Sequence, residues 1–165
     1  MTDRKQRLFP SVQKPARYTG GEWGEVQKEK KDVRIRVAFC FPDTYEIGMS
    51  NLGMRILYGV MNAQKDVWCE RVFAPWGDME EVMRREQIPL WALESQDPVK
   101  DFDMIAFTIG YEMAYSNVLN MLSLSGVPLH SSERTGLQNM VFAGGVCTFN
   151  PEPLADFVDF FSLGE

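Results

Sequence analysis

The feature that most constrains this chain is an alternation between two kinds of apolar pattern. Residues 33–41, 67–73, 104–108, 140–143 and 157–163 are short, nearly continuous apolar runs bounded by turn residues. Runs of this length read as strands covered on both faces. Between them, apolar residues recur at spacings of three and four, the period of a helix with one apolar side. Leu52, Ile56, Leu57 and Val60 form one such stripe, and Met79, Val82 and Met83 a shorter one. Asp78, Glu80 and Glu81 fall in the first turn of the second, where the helix dipole favours acids. Tyr115, Val118, Leu119 and Leu122 form the third, closed by Gly126-Val127-Pro128. A last short helix is expected from Pro151-Glu152-Pro153, with proline in its first turn. Residues 88–98, with Pro89, Trp91 and Pro98, read as an irregular connection or a short extra edge strand.

Strands joined through helices pair in parallel by right-handed crossovers. The expected fold class is therefore α/β: a flavodoxin-like or Rossmann-like three-layer sandwich on a five-stranded, mostly parallel sheet of order 2-1-3-4-5. Such sheets hold ligands beyond the carboxyl ends of the strands, where the strand order reverses. Here that point lies between the first and third strands, which brings together the loops at 42–53, 109–116 and 144–152.

The first of these loops is Pro42-Asp-Thr-Tyr-Glu-Ile-Gly-Met-Ser-Asn-Leu-Gly53. Pro42 stops the strand, Gly48 and Gly53 allow a turn or a close approach, and Ser50 or Asn51 can cap the helix that follows. Thr108-x-Gly110 ends the middle strand, and Ala143-Gly144-Gly145 ends the next. Three small or glycine-rich strand ends on one edge suit either a groove for a flat or elongated ligand or plain tight turns. A phosphate-binding glycine loop is absent, and Asp-Thr-Tyr-Glu is too acidic to cradle the phosphate of flavin mononucleotide.

Catalytic constellations are sparse. His130, the single histidine, follows Pro128-Leu129 in a loop towards the opposite edge and reads as a surface residue. Cys147 has no basic neighbour in sequence to activate it and reads as packing. Asp43 with Glu46, and Glu112 on the middle loop, could act as acid–base or metal-binding groups, but capping a turn or the nearby helix end accounts for them better.

Charge divides the chain in two. Residues 1–32 carry eight Lys/Arg against five acids, a net of +3, so residues 33–165 carry −9 of the total of −6. We read 1–32 as an extended basic arm and 33–165 as the α/β domain. The acidic body argues against nucleic acid as a partner of this domain. The arm's aromatics, Phe9, Tyr18 and Trp23, point to docking on this domain or on another. Three dispersed cysteines suit neither a disulfide framework nor a zinc site. With no signal core or membrane-length apolar run, a cytoplasmic location is expected.

Several blocks in fixed order resemble the N-terminal region of radical SAM proteins of the Fe–S oxidoreductase type that carry a cobalamin-binding-like domain. They are Lys14-Pro-Ala-Arg-Tyr18 with Gly20-Gly21, Tyr45-Glu-Ile-Gly-Met-Ser-Asn-Leu-Gly53, Glu70-Arg-Val-Phe-Ala-Pro-Trp76, Ser116-Asn-Val-Leu-Asn120, and Ala143-Gly-Gly with Phe149-Asn-Pro-Glu-Pro-Leu-Ala155. The resemblance implies a cobalamin-binding-type domain followed by a catalytic barrel in the same polypeptide. The Cys-x-x-x-Cys-x-x-Cys motif for an iron–sulfur cluster and S-adenosylmethionine is not in this sequence, so radical chemistry is expected beyond Glu165. Ending directly after a predicted strand, the chain reads as a piece of a longer protein. Cobalamin domains carry Asp-x-His-x-x-Gly after the first strand; here the matching stretch is Asp43-x-Tyr45-x-x-Gly48, with a phenol in place of the cobalt ligand. By the resemblance, Asp43, Tyr45, Gly48, Ser50, Asn51, Thr108, Gly110, Gly144 and Gly145 are the candidate cofactor-binding residues. Gly110 stands where the family of folds usually has leucine. The implied role is a module that positions cobalamin, held without a histidine ligand, or substrate against the barrel. The alternative is a scaffold of the same fold without cofactor.

Overall fold

A computed structural model describes residues 2–164. Its core is a five-stranded, all-parallel sheet of order β2-β1-β3-β4-β5. The strands are β1 (Ile35–Phe41), β2 (Val67–Phe73), β3 (Met104–Thr108), β4 (Met140–Gly144) and β5 (Phe160–Ser162). The helices are α1 (Thr2–Gln6), α2 (Tyr45–Ser50), α3 (Leu52–Asn62), α4 (Gly77–Glu86) and α5 (Tyr115–Ser125). The fold class and strand order are those the alternation of patterns predicts. Differences lie at the ends: β1 starts two residues late, β5 is only three residues long, and Pro151 opens a single 3₁₀ turn, Glu152–Leu154.

The two faces of the sheet are covered unequally. On one, Ala38, Cys40, Val72, Ile105, Phe107, Val141 and Ala143 pack against Met79, Val82 and Met83 of α4 and Val118, Met121 and Leu122 of α5. On the other, Val37, Phe39, Phe41, Cys69 and Phe73 pack against Met54 and Tyr58 of α3. Coverage of this second face fails towards β5. Along β4, Val141 and Ala143 are buried while Met140, Phe142 and Gly144 are only half-buried. Phe160 beside Phe142 is 41% exposed, and the two rings stack 5.0 Å apart.

The stripe that predicts α3 is not the surface α3 buries. Leu52, Ile56, Leu57 and Val60 are all exposed, whereas Met54 and Tyr58 are buried. Polar anchors fix the rotation of the helix. Asn51 caps its N-terminus by accepting from Met54 N (2.9 Å), and the Tyr58 hydroxyl accepts from Val26 N (2.8 Å). Asn62 bonds both backbone groups of Cys69 on β2 (2.9 and 3.0 Å).

The free edge of β2 is closed without a further strand. Lys28 Nζ donates to Val67 O, Asn62 satisfies Cys69, the Glu94 carboxylate accepts from Arg71 N, and Leu93 N donates to Arg71 O. Residues 88–98 are thus an irregular connection, with a lone bridge between Trp91 and Pro98, laid along the edge. Two buried ion pairs anchor it: Arg71 with Glu94, and Arg36 with Glu70.

Residues 2–32, expected to be extended, make α1 and single 3₁₀ turns and lie on the α/β domain. Leu8 and Lys5 are buried. The Tyr18 hydroxyl accepts from Trp76 N (3.0 Å), the Tyr18 ring meets Trp91 edge-on, and Trp68 Nε1 donates to Val26 O (3.0 Å). Gly20 lies so close to the Leu93 carbonyl that a Cβ would sit 2.3 Å from it.

Candidate functional site at the carboxyl edge of the sheet

Three loops meet where the strand order reverses, and hydrogen bonds zip them together. The stretch after β1 is mostly helical, since residues 45–50 form α2. Two side chains from the β3–α5 region reach back to it. The Tyr111 hydroxyl donates to the Asp43 carboxylate, and Asn117 Nδ2 donates to Pro42 O (2.9 Å). The loop after β4 is tied to the middle one by the backbone: Ile109 N donates to Gly144 O (2.8 Å) and Cys147 N to Ile109 O (3.2 Å). The crevice between β1 and β3 is bridged by protein groups.

The nine candidate residues divide by what they touch. Asp43 accepts from Tyr111 and from its neighbour Thr44 N. Tyr45 is half-buried, its ring edge-on to Phe73 at 5.5 Å. Burial, then a hydrogen bond to Glu22, pushes its phenol up to about 12. Gly48 is buried where a Cβ would run into Phe73 and Phe41, so the glycine lets α2 sit down on the sheet. Ser50 Oγ donates to Ile47 O and Asn51 caps α3. Gly145 has φ 104° and lies against Ile109, whose carbonyl oxygen would be 2.5 Å from a Cβ. That glycine serves loop packing. Gly110 faces open space. Thr108 and Gly144 are lateral neighbours in the sheet, and Ser162 extends their row. All three small residues escape full burial at the carboxyl end of the half-covered face.

The residues weighed for catalysis are dispersed. His130 is exposed and rests against Phe157, with ring centroids 5.1 Å apart. Glu46 pairs with Arg17 at 2.9 Å and Lys14 at 3.4 Å. Cys147 is buried, and burial together with the Glu112 charge pushes its thiol up. All three cysteines are buried and free. Among the described residues, no three His, Cys, Asp or Glu side chains cluster as a metal site would require.

A second property of this edge is its apolar rim. Ile47, Trp76, Tyr111, Met113, Val146, Phe149 and Leu163, drawn from the segments after all five strands, are 39–85% exposed. A solvent-facing loop is normally built from polar turn residues. Sequence reading passed over these side chains, yet the signal was present: large apolar residues inside the segments between strand and helix. Tyr111, which crosses the crevice, was missed because its partner Asp43 is 68 residues away.

A parallel sheet of this order, with its loops gathered at the reversal, defines a doubly wound α/β domain of the flavodoxin-like class. A family model described as radical SAM proteins, N-terminal, matches residues 53–165, and the chain belongs to that family. The blocks at 14–21 and 45–52 lie ahead of the matched region. An uncharacterized protein of Methanocaldococcus jannaschii is 27% identical over 131 residues, which take in 78% of this chain and 23% of that protein. The chain spans under a quarter of the length of this curated relative. No helix among the described residues is long and apolar enough to cross a membrane.

Proposed function

We propose that this chain is the docking module of a radical SAM protein, seating a catalytic domain of the same polypeptide against the carboxyl edge of its sheet. The observation that carries the reading is the apolar rim. Isolated exposed apolar side chains are ordinary, but a set from every loop of one edge marks an interaction surface. An iron–sulfur cluster does not fit this chain's own thiols, which are buried singly on β1, β2 and the loop after β4. Cluster and S-adenosylmethionine chemistry therefore belong, in this reading, to the catalytic domain, and this module positions that domain and its substrate.

A second reading, a module for cobalamin, is favoured by one observation: the Thr108–Gly144–Ser162 row, whose small side chains leave room for an elongated group along the sheet. The Tyr45 position does not fit a cobalt ligand, because its phenol is held protonated against Phe73 and Glu22.

Amide hydrogen exchange tests the docking reading by comparing the 165-residue chain with the full-length polypeptide. Amides at 109–116 and 145–150 are expected to be protected in the long protein and to lose that protection in Met113→Asp/Phe149→Asp. Equal exchange of these loops in both proteins would refute docking at this edge. Retention of hydroxocobalamin through desalting, with a base-off spectrum, would establish the cobalamin reading; no retention by either protein would exclude it.

A further inference from the structure

The second face of the sheet carries an apolar surface separate from the carboxyl edge. It combines the exposed side of α3 with the uncovered strip of β4 and β5. Leu57 and Val60 are 47% and 57% exposed, and Phe160, 41% exposed, stacks on the half-buried Phe142 of the neighbouring strand. Asn62 ties the opposite flank of α3 to the outer edge of β2. At 100° per residue, Leu57 then falls on the flank turned towards the middle of the sheet.

We infer that this strip is the seat of an amphipathic helix that follows β5 in the longer polypeptide, an inference that rests on the docking-module reading. Topology selects the occupant. The connection from β1 to β2 travels in one direction across the sheet and places α3 on this face. The connections from β2 to β3 and from β3 to β4 travel in the other direction and place α4 and α5 on the opposite face. A connection leaving β5 back towards the middle of the sheet travels in the β1-to-β2 direction, and the same right-handedness lays it over the α3 face. The curated relative is more than four times as long as the matched stretch, and the family model that matches is described as an N-terminal one. A helix here would close the third layer and bury Leu57, Val60, Phe142 and Phe160.

Exchange mass spectrometry on the same two proteins tests it through different peptides. In the full-length polypeptide, amides of 54–62 and 158–162 are expected to slow at least tenfold relative to the 165-residue chain. Binding of the dye ANS, strong in the short chain, should fall to background in the long one. Val60→Lys should reverse both effects while leaving 109–116 protected, so failure here is distinguishable from failure of edge docking. Unchanged exchange of 54–62 would overturn the inference. So would a concentration-dependent dimer of the full-length protein that Val60→Lys dissolves, because the occupant would then be a second copy.

Discussion

Replacing Gly145 by alanine tests the packing of the switch-point loops most directly. At φ 104° and ψ 172° the residue occupies a region essentially reserved for glycine, where a side chain costs about 1–3 kcal/mol. The added Cβ would also lie 2.5 Å from Ile109 O and 2.9 Å from Ile109 N, both backbone atoms that cannot swing aside. Relieving that contact moves the two loops apart and weakens the bonds Ile109 N to Gly144 O and Cys147 N to Ile109 O, each contributing about 1 kcal/mol. Together the loss is about 3–5 kcal/mol, a large share of the stability of a single domain. At about 2–4 °C per kcal/mol for a chain of this size, thermal unfolding should fall by about 6–20 °C. Urea unfolding followed by circular dichroism measures it, with Gly144→Ala as the control. A Cβ at Gly144 meets only Ser162 at 3.9 Å, so that variant should lose less than about 1 kcal/mol. If Gly145→Ala is no worse than Gly144→Ala, the loops are not in the contact described, and the crevice is open to a ligand after all.

Two other perturbations probe the buried charges. Glu94→Ala should cost about 2–3 kcal/mol, because it leaves the Arg71 N–H unpaired in the interior and takes one of two close carboxylates from a guanidinium that keeps Glu22 at 2.9 Å, whereas Glu46→Ala, which breaks an exposed pair, should cost no more than about 1 kcal/mol; equal losses in urea would contradict the burial of the first pair. Burial under Trp91 lowers the Lys5 ammonium to about 8, against the opposing pull of Asp97, while the unfolded chain keeps an ordinary value of 10.5. Between those pH values the unfolded state binds the extra proton, so stability should rise with pH from 8 to 10.5, with the contribution lost as pH falls through 8. A pH series of melting temperatures should show this rise in the wild type and not in Lys5→Met.

The sheet could be read from the sequence because each strand and helix carries its own period, and parallel pairing follows from their alternation. Which side of α3 faces inward could not. Its wider apolar arc argued for Leu52, Ile56 and Val60, but the rotation is set by Val26 and Cys69, which meet the helix only in three dimensions. The same holds for the arm: Tyr18 finds Trp76 58 positions away, and nothing local announces it. At the candidate site, the glycines were recognised as permissive positions, yet permissiveness has several uses. Gly48 and Gly145 spend it on packing against Phe73 and Ile109, while Gly110 leaves it open. The buried carboxylates Glu70 and Glu94 were invisible because a charge inside a strand or a connection looks like surface until its arginine is placed.

The sealing of β2 gives the sheet a direction of growth. Lys28, Asn62, Leu93 and Glu94 leave no backbone group of Val67 O, Cys69 or Arg71 free to recruit another strand. Strand addition is blocked along this stretch of β2. Were two copies to meet at β5 by two-fold symmetry, the closed stretch of β2 on each would offer no further edge for propagation into a fibre. The arm and the 88–98 connection thereby act as a chain terminator, closing the edge along which a sheet could otherwise pass from copy to copy.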